Sequence, residues 1–207
     1  MKESRTFIAL FLSAAIFSGC MRPQNLEPKE YISWTKDMEN GLRKQTELNG
    51  TIFSIQYKPT DYLIATQMVK SGISEQDAAL IKSHSTLSLF DIYITCQGGN
   101  MHPYGYNTLT QQEVNQRQQY YTFGIQNDIL IKTASRAFSP VYCRAERGAL
   151  VNNTLTFECG FENLDINEDW SFTIHDTQLG AGMVKFLIKN KDLKKIPSLK
   201  YSSQPQE

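Results

Sequence analysis

Four cysteines and three histidines are the side chains of this sequence with the greatest potential for covalent or metal chemistry. His84, His102 and His175 lie far apart in the chain, whereas zinc sites commonly include at least one pair of closely spaced ligands. The sequence contains no GxSxG motif, no CxxC motif and no glycine-rich phosphate loop. It therefore predicts no metal, no cofactor and no recognisable catalytic set.

The spacing of two cysteines suggests a disulfide. Directly opposed residues of a hairpin have a constant sum of positions, so a loop centred on Val151 would place Cys143 opposite Cys159. Opposed β-carbons lie about 4.5–5.5 Å apart, close to the ~3.8 Å that a disulfide prefers. In an oxidising compartment we expect this pair to form a bond. The alternative is that Cys96, Cys143 and Cys159 are three buried free thiols.

A loop rich in aromatic residues follows the predicted strand that ends near Cys96. It contains His102, Tyr104 and Tyr106 among glycine and proline residues. Tyrosine is enriched at binding surfaces, so these three residues form a candidate contact loop. The same loop, residues 97–107, could instead border a pocket for a small ligand.

The charges are balanced, with 21 basic and 21 acidic side chains. A neutral chain has no overall field to attract nucleic acid, so we expect no nucleic-acid partner. Two local clusters of charge are expected to be solvated surface rather than binding sites. They are the acidic residues Glu162, Asp165, Glu168 and Asp169 and the basic residues Lys185, Lys189, Lys191, Lys194 and Lys195.

The elements that must position these residues are mostly strands. Asn49-Gly50 suits a tight turn, and it predicts a hairpin between residues 42–48 and 51–57. Capping signals predict short helices near residues 60–69, 74–83 and 110–119. Further alternating segments bring the total to about nine strands, one of them at residues 120–125. The fold class is therefore mainly β, at the margin of α+β: an antiparallel sheet or sandwich with about three short helices.

The N-terminus resembles a bacterial lipoprotein signal. Residues 7–17 are uncharged and mostly apolar, but shorter than the roughly 20 residues that span a membrane. Residues 18–20 read Ser-Gly-Cys, which is similar to a lipobox, with Phe17 in place of the usual leucine. The resemblance implies that Cys20 is the lipid-attachment site and that residues 1–19 are a signal peptide. Two or three acyl chains would hold the protein firmly on a membrane.

Four segments follow from this interpretation. Residues 1–19 are the signal peptide, residues 20–29 a lipidated tether with two prolines, residues 30–200 a single β-rich domain, and residues 201–207 a flexible tail. No Asp stands directly after Cys20 and no acidic cluster follows it. By resemblance to known sorting signals, this favours the periplasmic face of the outer membrane over the cell surface.

Three phrases of the mature chain resemble uncharacterised lipoproteins of Bacteroidetes: YISWTKDMENGL, FSIQYKPTDYLIA and KFLIKNKDLKKIPSLK. This family implies a location and no activity. We therefore expect a non-enzymatic, lipid-anchored accessory or binding protein of the cell envelope that contacts the membrane and other envelope proteins. Two alternatives stay open: an envelope hydrolase or carbohydrate-processing enzyme with two scattered carboxylates, and a small-ligand binder.

Overall fold

The computed structural model describes residues 25–98, 101–146 and 153–201. Within these ranges the chain is mostly β-structure with antiparallel sheets, as predicted. In chain order the elements are β1 (Asn25–Leu26), α1 (Pro28–Lys36), β2 (Arg43–Leu48), β3 (Thr51–Lys58), α2 (Thr60–Ser71), α3 (Glu75–His84), β4 (Leu87–Cys96), α4 (Gln111–Gln119), β5 (Ile129–Lys132), β6 (Ala137–Phe138), β7 (Tyr142–Ala145), β8 (Thr154–Glu162), β9 (Trp170–Asp176), β10 (Gly182–Ile188), α5 (Asn190–Leu193) and β11 (Ser198–Leu199).

Two antiparallel sheets pack face to face. One has five strands in the order β2-β3-β4-β8-β7, and the other has four in the order β10-β9-β5-β6. Strands β9 and β10 alternate between buried and more exposed positions because successive side chains point to opposite faces, whereas β3 is buried along almost its whole length. The inner faces meet in an aromatic core, where Phe90 lies 5.1 Å from Phe172 and Tyr57 lies 5.0 Å from Trp170, measured between ring centroids. Burying each such ring contributes about 1.5–3 kcal/mol.

The hairpin predicted around Asn49-Gly50 is present. β2 pairs with β3 from Arg43–Gln56 to Leu48–Thr51, and both turn residues have positive φ, 50° for Asn49 and 75° for Gly50. Two positive φ angles match the twist of the strands, and Asn-Gly adopts them at low cost.

Three helices and a pair of short strands form a second, smaller core. α1, α2 and α3 meet around Tyr31, Ile64 and Ala78, and Leu199 of β11 packs against them. β11 pairs in parallel with β1, so the start and the end of the described chain lie side by side. This group lies beside the Lys58 end of β3, since α2 begins two residues later.

The domain begins earlier than predicted. Residues 25–29, placed in the predicted tether of residues 20–29, belong to β1 and to the start of α1. Pro28 does not break this segment because it occupies the first turn of α1, where a missing N–H leaves no bond unmade. At the other end, Tyr201 donates a hydrogen bond from its hydroxyl to Asp61 (3.4 Å) and so belongs to the domain. The rest of the predicted tail, residues 202–207, lies outside the described residues.

One predicted strand is wrong. Residues 120–125 form a π-helical turn (Tyr120–Gly124) that continues α4 and leads into a 3₁₀ turn (Ile125–Asp128). Tyr121 and Ile125 are buried at a spacing of four, which suits a helix and not a strand. The helices α1 and α5 were not predicted, so the chain has more helix than the three expected elements.

Candidate functional site

Residues 103–106 of the predicted contact loop are held in place by one guanidinium group. Arg117 lies on α4 and donates hydrogen bonds from Nη1 to the carbonyl oxygens of Pro103 (2.9 Å) and Tyr106. Its Nη2 donates to the carbonyl oxygen of Gln178 (3.0 Å), in the turn between β9 and β10. Arg117 thus joins the loop to a neighbouring turn, and bonds to a charged donor are stronger than neutral ones.

A buried carboxylate organises that neighbouring turn. Asp176, at the end of β9, accepts hydrogen bonds from the backbone N–H groups of Leu179 (3.1 Å) and Ala181 (2.8 Å). It also accepts one from the hydroxyl of Tyr121 (3.4 Å). Burial raises the pKa of Tyr121, and the charge of Asp176 raises it further, so the phenol stays protonated. This end of the sandwich is therefore built from fixed polar contacts.

The three predicted contact residues do not all face solvent. Tyr104 is buried and its ring lies 4.4 Å from that of His102, whose Nδ1 accepts a hydrogen bond from the Tyr104 backbone N–H (3.3 Å). Tyr106 is half-buried and packs against the main core. The exposed apolar side chains here are Met101 (52 % exposed) and Leu109 (93 % exposed), which the sequence analysis did not single out. The solvent-exposed apolar surface here is therefore aliphatic, while the buried ring of Tyr104 packs beneath the loop.

A row of polar side chains crosses the outer face of the five-stranded sheet. The register aligns Arg43, Gln56, Asp91, Glu158 and Arg144, one from each strand. Asp91 and Glu158 are direct cross-strand neighbours, which would repel each other as two bare carboxylates.

Lys58 joins these two carboxylates. Its Nζ lies 2.5 Å from Oδ1 of Asp91 and 2.8 Å from Oε2 of Glu158, and its side chain is only 7 % exposed. Arg144 adds a contact of 2.9 Å to Oε1 of Glu158, to which the Tyr142 hydroxyl also donates (3.1 Å). The cluster Lys58–Asp91–Glu158–Arg144 is the closest grouping of opposite charges on this sheet face among the described residues.

The electrostatics of this cluster suit ion pairing better than acid catalysis. Burial raises the pKa of Glu158, but the hydrogen bond and charge of Lys58 outweigh it and the pKa is lowered. For Lys58, burial lowers the pKa, and the bonds to Asp91 and Glu158 more than compensate, so the pKa is raised. A glycosidase acid needs a carboxyl whose pKa is raised so that it holds a proton near neutral pH. Glu158 has the opposite shift.

The structure places Cys96, Cys143 and Cys159 on the inner face of the five-stranded sheet. Cys143 and Cys159 are cross-strand partners with their Cα atoms 4.1 Å apart, and a disulfide joins them. Cys96 carries a buried free thiol, and burial raises its pKa to about 11. A thiol with so high a pKa is a poor nucleophile at neutral pH. Cys20, the predicted lipid-attachment site, lies outside the described residues.

The described part of the chain lacks the usual groupings of a metal site or a membrane span. It holds no group of three or more His, Cys, Asp or Glu side chains placed to bind a metal ion. Across residues 25–98, 101–146 and 153–201, no helix is long and apolar enough to cross a membrane. Ser33 and Lys36 match the SxxK spacing of some acyl-transfer enzymes, but both side chains are exposed on α1 and no hydrogen bond joins them.

Sequence reasoning missed Arg117 and the Lys58 cluster. The cluster forms only when four strands pair in one register, and that register cannot be read from separate segments. Asp91 did carry a signal, because it is the one charged residue of β4 and lies between Phe90 and Ile92. A charge there predicts a partner on the same face of the sheet.

Comparison of the chain with models of known protein families, with curated proteins and with solved structures finds no significant match.

Proposed function

We propose that the protein is a lipid-anchored, non-enzymatic accessory or binding protein of the bacterial cell envelope. The observation that most supports this proposal is that the start of the described chain and the loop held by Arg117 lie at opposite ends of the sandwich. The start of the described chain lies at the Lys58 end of β3, and the loop held by Arg117 lies near the Thr51 end. A membrane anchor at the first end would leave the second free to meet other envelope proteins.

The anchored end is supported by a short chain distance. An extended chain covers at most about 3.3–3.6 Å per residue, so Cys20 can lie no more than about 18 Å from Asn25. Asn25 belongs to β1 and is fixed by its pairing with Ser198. Lipids on Cys20 would therefore hold the domain close to the membrane surface.

The free end is supported by distance and by exposed apolar side chains. β3 has eight residues, so its ends are about 24 Å apart at the usual rise per residue. The backbone of Gly50 accepts a hydrogen bond from Gln97, which ties the segment after β4 to the hairpin turn at this end (2.7 Å). Met101 and Leu109 then present aliphatic surface on either side of Pro103 and Tyr106, whose carbonyl oxygens are held in place by Arg117. Little conformational entropy would be lost when a partner binds such a surface.

The anchor is tested by intact mass measurement and membrane fractionation of the wild type and of Cys20→Ala. We expect the wild type to carry lipid on Cys20 and to sediment with membranes, and the variant to lose both properties. A soluble wild type with an unmodified Cys20, or a chain cut elsewhere, would refute the anchor and the location inferred from it.

The partner surface is tested by purifying the tagged full-length protein from gently solubilised outer membranes. We expect a reproducible set of envelope proteins that is lost with Leu109→Asp. Leu80→Asp is the matched control, because Leu80 is also exposed (59 %) but lies on α3 in the helical group. Equal loss of partners in both variants, or no partners with the wild type, would contradict a role for the loop.

A further inference from the structure

The outer face of the four-stranded sheet carries a depression of about 260 Å³ between β5, β9 and β10. Drug-sized ligands usually occupy about 300–1,000 Å³. The depression is therefore large enough for one compact group of a ligand and not for a whole cofactor.

The register gathers polar side chains at this depression. Lys185 of β10 is opposite Thr173 of β9, which is opposite Leu130 of β5. Ser171 of β9 is opposite Lys132 of β5. Because alternate residues of a strand share a face, two lysines lie diagonally across the strand that carries the two hydroxyls.

The two lysines and the two hydroxyls of this site have no side-chain partners in the described part of the chain. No ion pair of Lys132 or Lys185, and no side-chain hydrogen bond of Ser171 or Thr173, forms with any residue of the described ranges. The carboxylate in the lining, Asp128, is engaged at Oδ2 by the Tyr120 hydroxyl (2.7 Å). Its Oδ1 lies 3.8 Å from Nδ1 of His175.

We propose that this depression binds a phosphate group, either free or as a phosphate ester. Two ammonium groups and two hydroxyls supply donors from both sides, which suits an anion with several terminal oxygens. Lysine binds phosphate as a point charge, and hydrogen bonds to charged groups are about twice as strong as neutral ones. Lys185 thus has a binding role, although the sequence alone suggested that it was only part of a solvated charged surface. It does not depend on lipid anchoring.

The test uses the full-length protein in a neutral detergent and follows backbone amide shifts by NMR. The probes are inorganic phosphate, glycerol phosphate and short-chain phosphatidic acid. We expect saturable shifts at Ser171, Thr173 and their neighbours. Tighter binding of the phosphatidic acid would identify a lipid headgroup as the source of the phosphate, and equal binding of all three would identify the phosphate group alone as the ligand.

Variants decide whether the site is specific. Lys132→Gln and Lys185→Gln are each expected to weaken binding by up to about fivefold, because each removes one solvent-exposed ion pair with the phosphate. Thr173→Val removes one hydroxyl and should weaken binding less. Lys70→Gln, an exposed lysine at the end of α2, is the control. No saturable binding, or equal weakening by the control, would overturn the proposal.

Discussion

Removing the ammonium group of Lys58 should destabilise the domain, and the loss of stability should be smaller at pH 5 than at pH 7. Lys58→Met keeps most of the side-chain volume but leaves Asp91 and Glu158 next to each other without their shared cation. Their side chains are 10 % and 14 % exposed, so water screens them poorly.

The magnitude follows from burial. Removing one partner of a buried ion pair costs about 3–5 kcal/mol. Arg144 still contacts Glu158 and offsets a small part of this loss. Because Arg144 is 74 % exposed, its pair with Glu158 contributes no more than about 1 kcal/mol. We therefore expect a loss near the lower bound, about 3 kcal/mol, which would lower the urea midpoint by about 1–2 M.

The pH dependence gives an independent check. In the wild type the lowered pKa of Glu158 contributes stability above its unfolded pKa, which is lost only as the pH falls through the folded pKa. In Lys58→Met two adjacent carboxylates raise the pKa of one of them, so it takes up a proton more readily. The stability difference between wild type and variant should therefore shrink between pH 7 and pH 5.

Urea unfolding followed by circular dichroism at both pH values measures these differences. Lys70→Met is the control for losing an exposed lysine, and it should change the stability by less than about 0.5 kcal/mol. Adding Asp91→Asn to Lys58→Met should recover part of the loss because one buried charge is gone. A loss below about 1 kcal/mol, or the same loss at pH 5 and pH 7, would refute this account of the cluster.

Three further predictions concern the same sheet. Gly160→Ala places a Cβ 2.5 Å from a ring carbon of Tyr142, so it should cost about 1–3 kcal/mol in thermal unfolding, and an unchanged melting temperature would contradict this packing. Replacing both Cys143 and Cys159 by alanine opens a bridge with a sequence separation of 16 and should cost about 3 kcal/mol; equal urea midpoints for the oxidised wild type and the double variant would argue against it. Cys96, with a pKa of about 11, should react with iodoacetamide at pH 8 only after denaturation, and rapid labelling of the native protein would count against its burial.

The fold could be predicted where local chemistry and tertiary packing agree. Asn49-Gly50 marks its hairpin because few other residue pairs adopt two positive φ angles, and Ser74 and Thr110 each begin a helix that their hydroxyls cap. The segment at residues 120–125 shows the opposite case. Its aromatic and apolar residues favour a strand, but α4 continues through it because Tyr121 and Ile125 then face the core together.

The sites were harder to predict because they depend on distant residues. The position of Arg117 in a glutamine-rich helix gave no reason to expect bonds to two different loops, one of them 61 residues later in the chain. Lys132 and Lys185 are ordinary surface residues in the sequence and become neighbours only when β9 lies between their strands. The register of the strands decides which residues of different strands are adjacent, and the whole sheet sets that register.

The bond between Cys143 and Cys159 also bears on how two copies of the protein could associate. β7 lies at the edge of the five-stranded sheet and pairs, among the described strands, with β8 alone. An edge strand can pair with another molecule, and the exchange of such an element between two copies is one route to a dimer. Once oxidised, β7 cannot leave β8 without breaking a covalent bond, so an exchange of this strand between molecules requires a reducing step.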